Sequence, residues 1–357
     1  MTVATSLVVA NDASPQIAEE AVRQAMQRAG LSHANAVLLF LTTDFARHAR
    51  EAVLAASRVA GCLQIAGGTA AGLATERSWV FDRPAAAALV LGGDYALLPP
   101  TGDNDETLFS FAGTSNLPGC WHSGPSRFGG LYTDAMFKDS LPTWQHGRIT
   151  ADAHTSLRME GIDLRLGVSS GTRLLGDCHT VDQVNGYDLQ RVGGQRAVDC
   201  LLRVLPAEFR RQEQLPLHLL SIAVVDGDDS PAPPRLIPLL TANGDGSLTI
   251  GDPLPTNARI VWGIRQPVSA EADMRQVLDH LVTSGPPPSF GLFVSCIGRG
   301  PYFYGAEERD WQAIKGRLPG MPFLGVYGSG QIAPVGGGNR LMQNAVVAAL
   351  CSTRKDH

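Results

Sequence analysis

The sequence predicts an α/β protein built from two related, layered domains, with mixed sheets covered by helices. Apolar strand-like runs alternate with amphipathic helical patterns, glycine-rich turns separate them, and the same order of elements occurs near both ends of the chain. At 357 residues the chain is long enough for two cores of ordinary size.

The first copy begins with SLVVA (6–10), an apolar run of strand type. IAEEAVRQAMQRAG (17–30) follows, with Ile17, Ala21, Ala25 and Met26 on one helical face. VLLFLTT (37–43) reads as a buried strand, and FARHAREAVLAASRVAG as a second helix. A glycine turn, GGTAAG (67–72), leads to the strand AAAALVL (85–91). The second copy runs RIVWGI (259–264), a helix over AEADMRQVLDHLV, GLFVSC (291–296), a helix over AEERDWQAIKGRL, the turn GVYGSG (325–330) and NAVVAAL (344–350). The first helices share an Arg-Gln pair, Arg23-Gln24 against Arg275-Gln276. Recurrence of order and spacing predicts an internal duplication.

Between the copies the chain is richer in strands. Runs at 148–157 and 162–169 flank a Met-Glu-Gly turn and predict a hairpin. YDLQRVGGQRAVDCLLRVL predicts a strand, a glycine turn and a helix from about Gln195, and LPLHLLSIAVVD (215–226) starts another strand. Pro206 and the charged EFRRQEQ interrupt the apolar pattern, which places the domain boundary there: residues 1–206 and 207–357. DGDDSPAPPRL is expected to be a surface loop.

Composition narrows the function. Charged residues are 18%, apolar residues 44% and the formal net charge is -5, a globular balance without the basic surplus that nucleic acid or an anionic membrane selects. Arg203, Arg210 and Arg211 cluster around a helix end and read as a solvated face. MTVATSLVVANDAS lacks the basic start and apolar length of a secretory signal, and no run reaches the length of a membrane span. The six cysteines (62, 120, 178, 200, 296 and 351) are spread out with no CxxC pair, so neither a metal site nor a disulfide framework is expected, and a reducing cytoplasm is the expected location.

Three patterns bear on chemistry. GVSSG (167–171) fits the letters of a nucleophile elbow, but no helical period follows it, and a strand-end turn accounts for Ser169 better. Cys296 and Arg299 stand where a central strand ends, the usual ligand edge of an open α/β sheet. A guanidinium favours the thiolate, which opens a nucleophilic role for Cys296; yet His280, the nearest histidine in sequence, precedes the strand, and a small buried hydrophobe is the plainer account. Arg299, between Gly298 and Gly300, suits a bidentate grip on a carboxylate, with Tyr302, Phe303 and Tyr304 as walls; pairing with a structural carboxylate is the alternative. In GVYGSGQIAPVGGGN, the glycines around Tyr327 imply positive φ or close backbone approach, to a ligand or to a neighbouring strand. Thr69 occupies the place of Tyr327 in the first copy.

SCIGRGPYFYG followed by a helix and PFLGVYGSGQIAPVGGGNRLMQN resembles the C-terminal part of the FIST family, a sensory module with N- and C-terminal FIST domains. FGGLYTD, the strand pair ending in GVSSGTRLLG, and NGYDLQRVGGQRAVDCL resemble its N-terminal part. The resemblance covers nearly the whole chain. It implies a small-molecule sensor in signal transduction, with amino acids among the proposed ligands, no cofactor and no established enzymatic activity. On that basis the expected ligand site comprises Cys296, Arg299, Gly300, Tyr302, Tyr327, Gly330, Gln331 and Thr69, in a cleft between the domains. Two residues depart from the family pattern: Gln331 stands where Glu is usual, and Thr172 where many relatives carry cysteine. No output domain is recognised, so the output is expected through a separate signalling protein, through oligomerisation or through chemistry not yet recognised, with the small-molecule ligand as the other partner. A cysteine-dependent hydrolase or transferase and a protein-interaction scaffold are the alternatives.

Overall fold

A computed structural model describes residues 2–133, 140–210, 214–225 and 233–354. It is a mixed α/β structure whose contacts divide it into two compact units: residues 1–169 with 274–357, and residues 170–273. Pro206, where the sequence places the boundary, therefore lies inside the second unit. Arg211 and most of the DGDDSPAPPRL segment fall outside the described residues. No helix among the described residues is long and apolar enough to cross a membrane.

Two six-stranded sheets in the larger unit share one pattern. In the first, Val3–Val9, Ala85–Leu91, Ala36–Thr42, Ile65–Ala70, Thr143–Gln145 and Arg148–Ile149 lie side by side. In the second the order is Ile162–Ser169, Val346–Thr353, Phe290–Cys296, Phe323–Gly328, Gly72–Thr75 and Trp79–Phe81. Both sequences of pairings run antiparallel, antiparallel, parallel, antiparallel, antiparallel. The central strands Ala36–Thr42, Ala85–Leu91 and Phe290–Cys296 are buried on both faces, so they read as nearly unbroken apolar runs.

This pattern corrects the start of the second copy. Arg259–Arg265 is a strand, but it pairs with Leu220–Val224 and Thr172–Asn185 in the smaller unit. Ile162–Ser169 holds the place in the second sheet that Val3–Val9 holds in the first. An apolar strand followed by an amphipathic helix looks the same locally wherever its partners lie, and only pairing separates the two cases.

The expected hairpin is also corrected. His154–Glu160 joins a third sheet beside Thr107–Ala112, whereas Ile162–Ser169 joins the second. They part at Gly161, whose φ of 76° suits glycine and where a Cβ would lie 2.5 Å from the Asp94 carbonyl oxygen.

Helices cover one face of each matched sheet. Pro15–Ala29 and Ala49–Ala60 contribute Ala18, Val22, Ala25, Val53 and Ala56 to one core; alanines let them settle closely on the sheet. Pro267–Thr283 contributes Met274, Leu278 and Leu281, and Arg309–Arg317 contributes Ala313 and Ile314, to the other. Gly30 and Gly61 end the first two helices in the left-handed conformation.

Neither glycine-rich stretch is a turn. Ile65–Ala70 continues after Ala71 as Gly72–Thr75, passing from the first sheet to the second, and the Ala71 N–H donates to the Tyr327 carbonyl at 2.9 Å. Phe323–Gly328 continues after Ser329 as Gly330–Val335, passing from the second sheet to the third, and the Ser329 N–H donates to the Leu131 carbonyl at 2.9 Å. Close approach to neighbouring strands explains the glycines: a Cβ at Gly67 would lie 1.6 Å from the Leu39 carbonyl oxygen, and one at Gly328 2.1 Å from that of Leu131.

The smaller unit is an antiparallel sheet with a core of Leu189, Leu201, Ile222, Ile237, Ile250 and Trp262, covered by the helix Ala197–Val204. That helix begins two residues after the position expected from sequence.

Candidate functional site

At the end of Phe290–Cys296 the chain makes a short 3-10 turn, Ile297–Arg299, and a helical turn, Pro301–Tyr304, capped at its start by Gly300. This path turns Arg299 inward, where it is 1% exposed. Its Nε and Nη2 donate to the two carboxylate oxygens of Asp310 at 2.8 and 3.0 Å. Its Nη1 donates to the Ser169 carbonyl and Nη2 to the Ser169 hydroxyl, each at 2.8 Å. Burial opposes the guanidinium charge, but Asp310 and Tyr304 together outweigh it and drive the Arg299 pKa upward. The structural carboxylate considered from sequence is thus present.

Around this pair sits a buried polar cluster. Glu308, 1% exposed, caps the helix Arg309–Arg317 by accepting from the Trp311 N–H at 3.1 Å. Burial, assisted by the neighbouring Asp310 charge, pushes the Glu308 carboxyl up to about 8, against the opposing effects of the Trp311 N–H, Arg299 and Tyr327. Glu308 therefore carries its proton at neutral pH while Asp310 carries charge beside Arg299. Burial raises the phenols of Tyr304 and Tyr327 too, the latter reinforced by Glu308. Ser295 Oγ is buried without a hydrogen-bond partner among the described residues, whereas the Tyr304 hydroxyl interacts with Arg299 and Asp310, and Glu308 with Tyr327. Ser295, Asp310, Trp311 and Tyr327 help line a cavity of about 10 Å³, otherwise walled by apolar residues, with room for one water-sized molecule.

The residues expected from sequence separate. Tyr327 lines this cavity, with its ring 4.5 Å from that of Phe81, and Arg299 meets it through Asp310. Gly300 packs under Phe81, which a Cβ would approach to 3.0 Å. Tyr302 is 74% exposed and donates its hydroxyl to Asp82. Cys296 is buried, and its polar neighbour is the Asn344 side-chain oxygen at 3.9 Å; no histidine bonds it among the described residues. Gly330 pairs with Leu131, and Gln331 with Gly130 and Met342, in the third sheet. Gln331 accepts from the Ala345 N–H at 3.3 Å and leaves its amide nitrogen unpaired. Thr69 is buried in the first sheet opposite Leu41, with its hydroxyl unpaired.

Sequence reasoning missed Glu308 and Asp310. Their signal was present in GAEERDW, but an acidic run at a helix start ordinarily reads as a solvated cap. Ser169 was seen only as a failed elbow; it is 0% exposed and followed by Gly171 and a strand.

Residues 197–334, which include Arg299, Glu308, Asp310 and Tyr327, match the family described as the FIST C domain. This similarity covers less than half of the chain. The FIST C domain is a sensory domain of signal transduction. Among curated relatives, uncharacterised proteins of two Mycobacterium tuberculosis strains are 25% identical over 224 residues, which is 61% of this chain and 58% of theirs. An uncharacterised protein of Mycobacterium bovis is 24% identical over 287 residues, 76% of this chain and 73% of its own. The chain thus spans less than two thirds of the length of the M. tuberculosis relatives.

Proposed function

We propose that this protein, like the FIST C domain it resembles, senses a small polar ligand in the pocket lined by Ser295, Asp310 and Tyr327, with the buried Glu308 held against Tyr327, and passes the signal to a separate protein. The observation that carries the reading is Ser295 Oγ, which lies in the cavity lining, buried without a hydrogen-bond partner among the described residues, because such a group costs stability unless a partner arrives. Arg299 serves the pocket by fixing Asp310, since its Nε/Nη2 edge already holds that carboxylate. An ammonium group, such as that of an amino acid, suits Glu308 and Asp310 and would displace the proton that Glu308 holds. The cavity admits only a water-sized group, so a larger ligand requires the segment Pro301–Arg317 to yield, and that displacement is the output. The shared strand order of the two sheets in the larger unit supports an internal duplication.

A thermal-shift screen of amino acids and small amines tests this reading. A ligand that stabilises the protein, and loses its effect in both Glu308→Gln and Ser295→Ala, supports it. Stabilisation left intact by both substitutions would place the ligand elsewhere.

A further inference from the structure

A second buried arginine differs from Arg299 in one respect. Arg127, in the strand Ser126–Leu131 of the third sheet, is 7% exposed, yet no carboxylate pairs with it among the described residues. Its Nη1 donates to the hydroxyls of Ser110 and Ser156 at 3.1 and 2.8 Å. Its Nε is buried without a partner, and Nη2 makes no hydrogen bond among the described residues. Nε and Nη2 form the edge that grips a carboxylate or phosphate side-on, the same edge that Asp310 fills on Arg299.

The surroundings supply donors. Ser110 and Ser156 lie 2.9 Å apart and share one hydrogen bond; both also accept from Arg127, so one hydroxyl proton is left to give. The Trp121 ring covers the guanidinium at 5.4 Å and meets the His154 ring edge-on at 5.7 Å. A cation–π contact of this kind contributes about 1 to 2 kcal/mol, whereas an uncompensated buried charge costs several. Burial accordingly pulls the Arg127 pKa down, against the opposing influence of Cys120 and Glu106.

We propose that Arg127, with Ser110 and Ser156, is a binding site for a small oxyanion, carboxylate or phosphate, which docks on the Nε/Nη2 edge beneath Trp121. The site does not depend on the pocket at Glu308, and nothing in its argument uses that pocket's ligand.

The test uses the full chain in a chloride-based buffer at constant ionic strength, titrated separately with inorganic phosphate and with acetate. One or both should raise Tm saturably, and the anion that does so names the headgroup chemistry. Arg127→Met should abolish the shift and, in buffer without either anion, melt no lower than the parent chain, because the two serines can bond each other. Ser156→Ala, which keeps the guanidinium, should weaken the response several-fold. Arg127→Lys, which keeps the charge and loses the fork, should weaken it at least as much and serves if the methionine variant does not fold. No saturable shift from either anion, or an undiminished shift in the methionine or lysine variant, overturns the proposal.

Discussion

Arg299 is bound twice by Ser169, through the hydroxyl and the carbonyl, each at 2.8 Å. This joins the ends of Ile162–Ser169 and Phe290–Cys296, two strands of one sheet separated by the intervening Val346–Thr353. A cluster that resembles a binding site in composition is therefore also a structural clamp.

Breaking the clamp should be costly in graded steps. Ser169→Ala removes one hydrogen bond to a charged donor and is expected to cost about 1.5–3 kcal/mol. Arg299→Met removes the cation that pairs with the buried Asp310 carboxylate, at about 3–5 kcal/mol. In the double substitution Arg299→Met with Asp310→Asn the loss should fall short of the sum of the singles. Urea melts of the five chains (parent, Ser169→Ala, Arg299→Met, Asp310→Asn and the double) read all of these values.

Glu308 makes stability depend on pH. Its folded pKa of about 8 lies above the ordinary glutamate value of 4.5, so between these limits the folded state holds a proton that the unfolded state has released. Stability falls as pH rises through that window, by on the order of 1 kcal/mol per unit from this group alone. Glu308→Gln cannot titrate there. Subtracting its melting curves from those of the parent chain should leave a difference that declines between pH 5 and 8 and flattens above.

Alkylation separates the sensor from a cysteine enzyme. Cys120 and Cys178 are exposed, while Cys200, Cys296 and Cys351 are buried. Brief treatment with iodoacetamide, followed by peptide mass spectrometry, should label Cys120 and Cys178 well before Cys296. Preferential labelling of Cys296 would revive the nucleophile reading.

Gly328→Ala should damage the larger unit far more than Gly102→Ala. The first places a Cβ 2.1 Å from a backbone oxygen, which forces the Leu131 strand to shift; the second meets nothing within 4 Å and suffers only from its positive φ of 89°. A loss of about 1 kcal/mol at Gly102 and several times that at Gly328 is the expected contrast in denaturant melts.

The strands Val3–Val9, Ala36–Thr42 and Ala85–Leu91 and the helices Pro15–Ala29 and Ala49–Ala60 were legible in the sequence within a few residues, because full burial writes continuous apolar runs and helical burial writes a period of 3.6. Pairing was not legible. Arg259–Arg265 and Val3–Val9 have the same local character and lie in different units, and Gly161 divides two strands that looked like one hairpin. At the site, the Cys296 to Tyr327 region was visible as a concentration of unusual residues. The meeting of Arg299 with Ser169 and Asp310 was not, since it depends on where three chain segments end.

The one-residue crossings at Ala71 and Ser329 bear on how the protein is made. Gly72–Thr75 leaves the ribosome early, yet one of its neighbours is Phe323–Gly328, near the far end of the chain. Until that segment emerges, one edge of the Gly72–Phe81 hairpin must wait unpaired, exposed to proteases and to pairing with other chains. This pairing therefore forms late, only once Phe323–Gly328 has emerged, and the nascent N-terminal half is where chaperone assistance should concentrate.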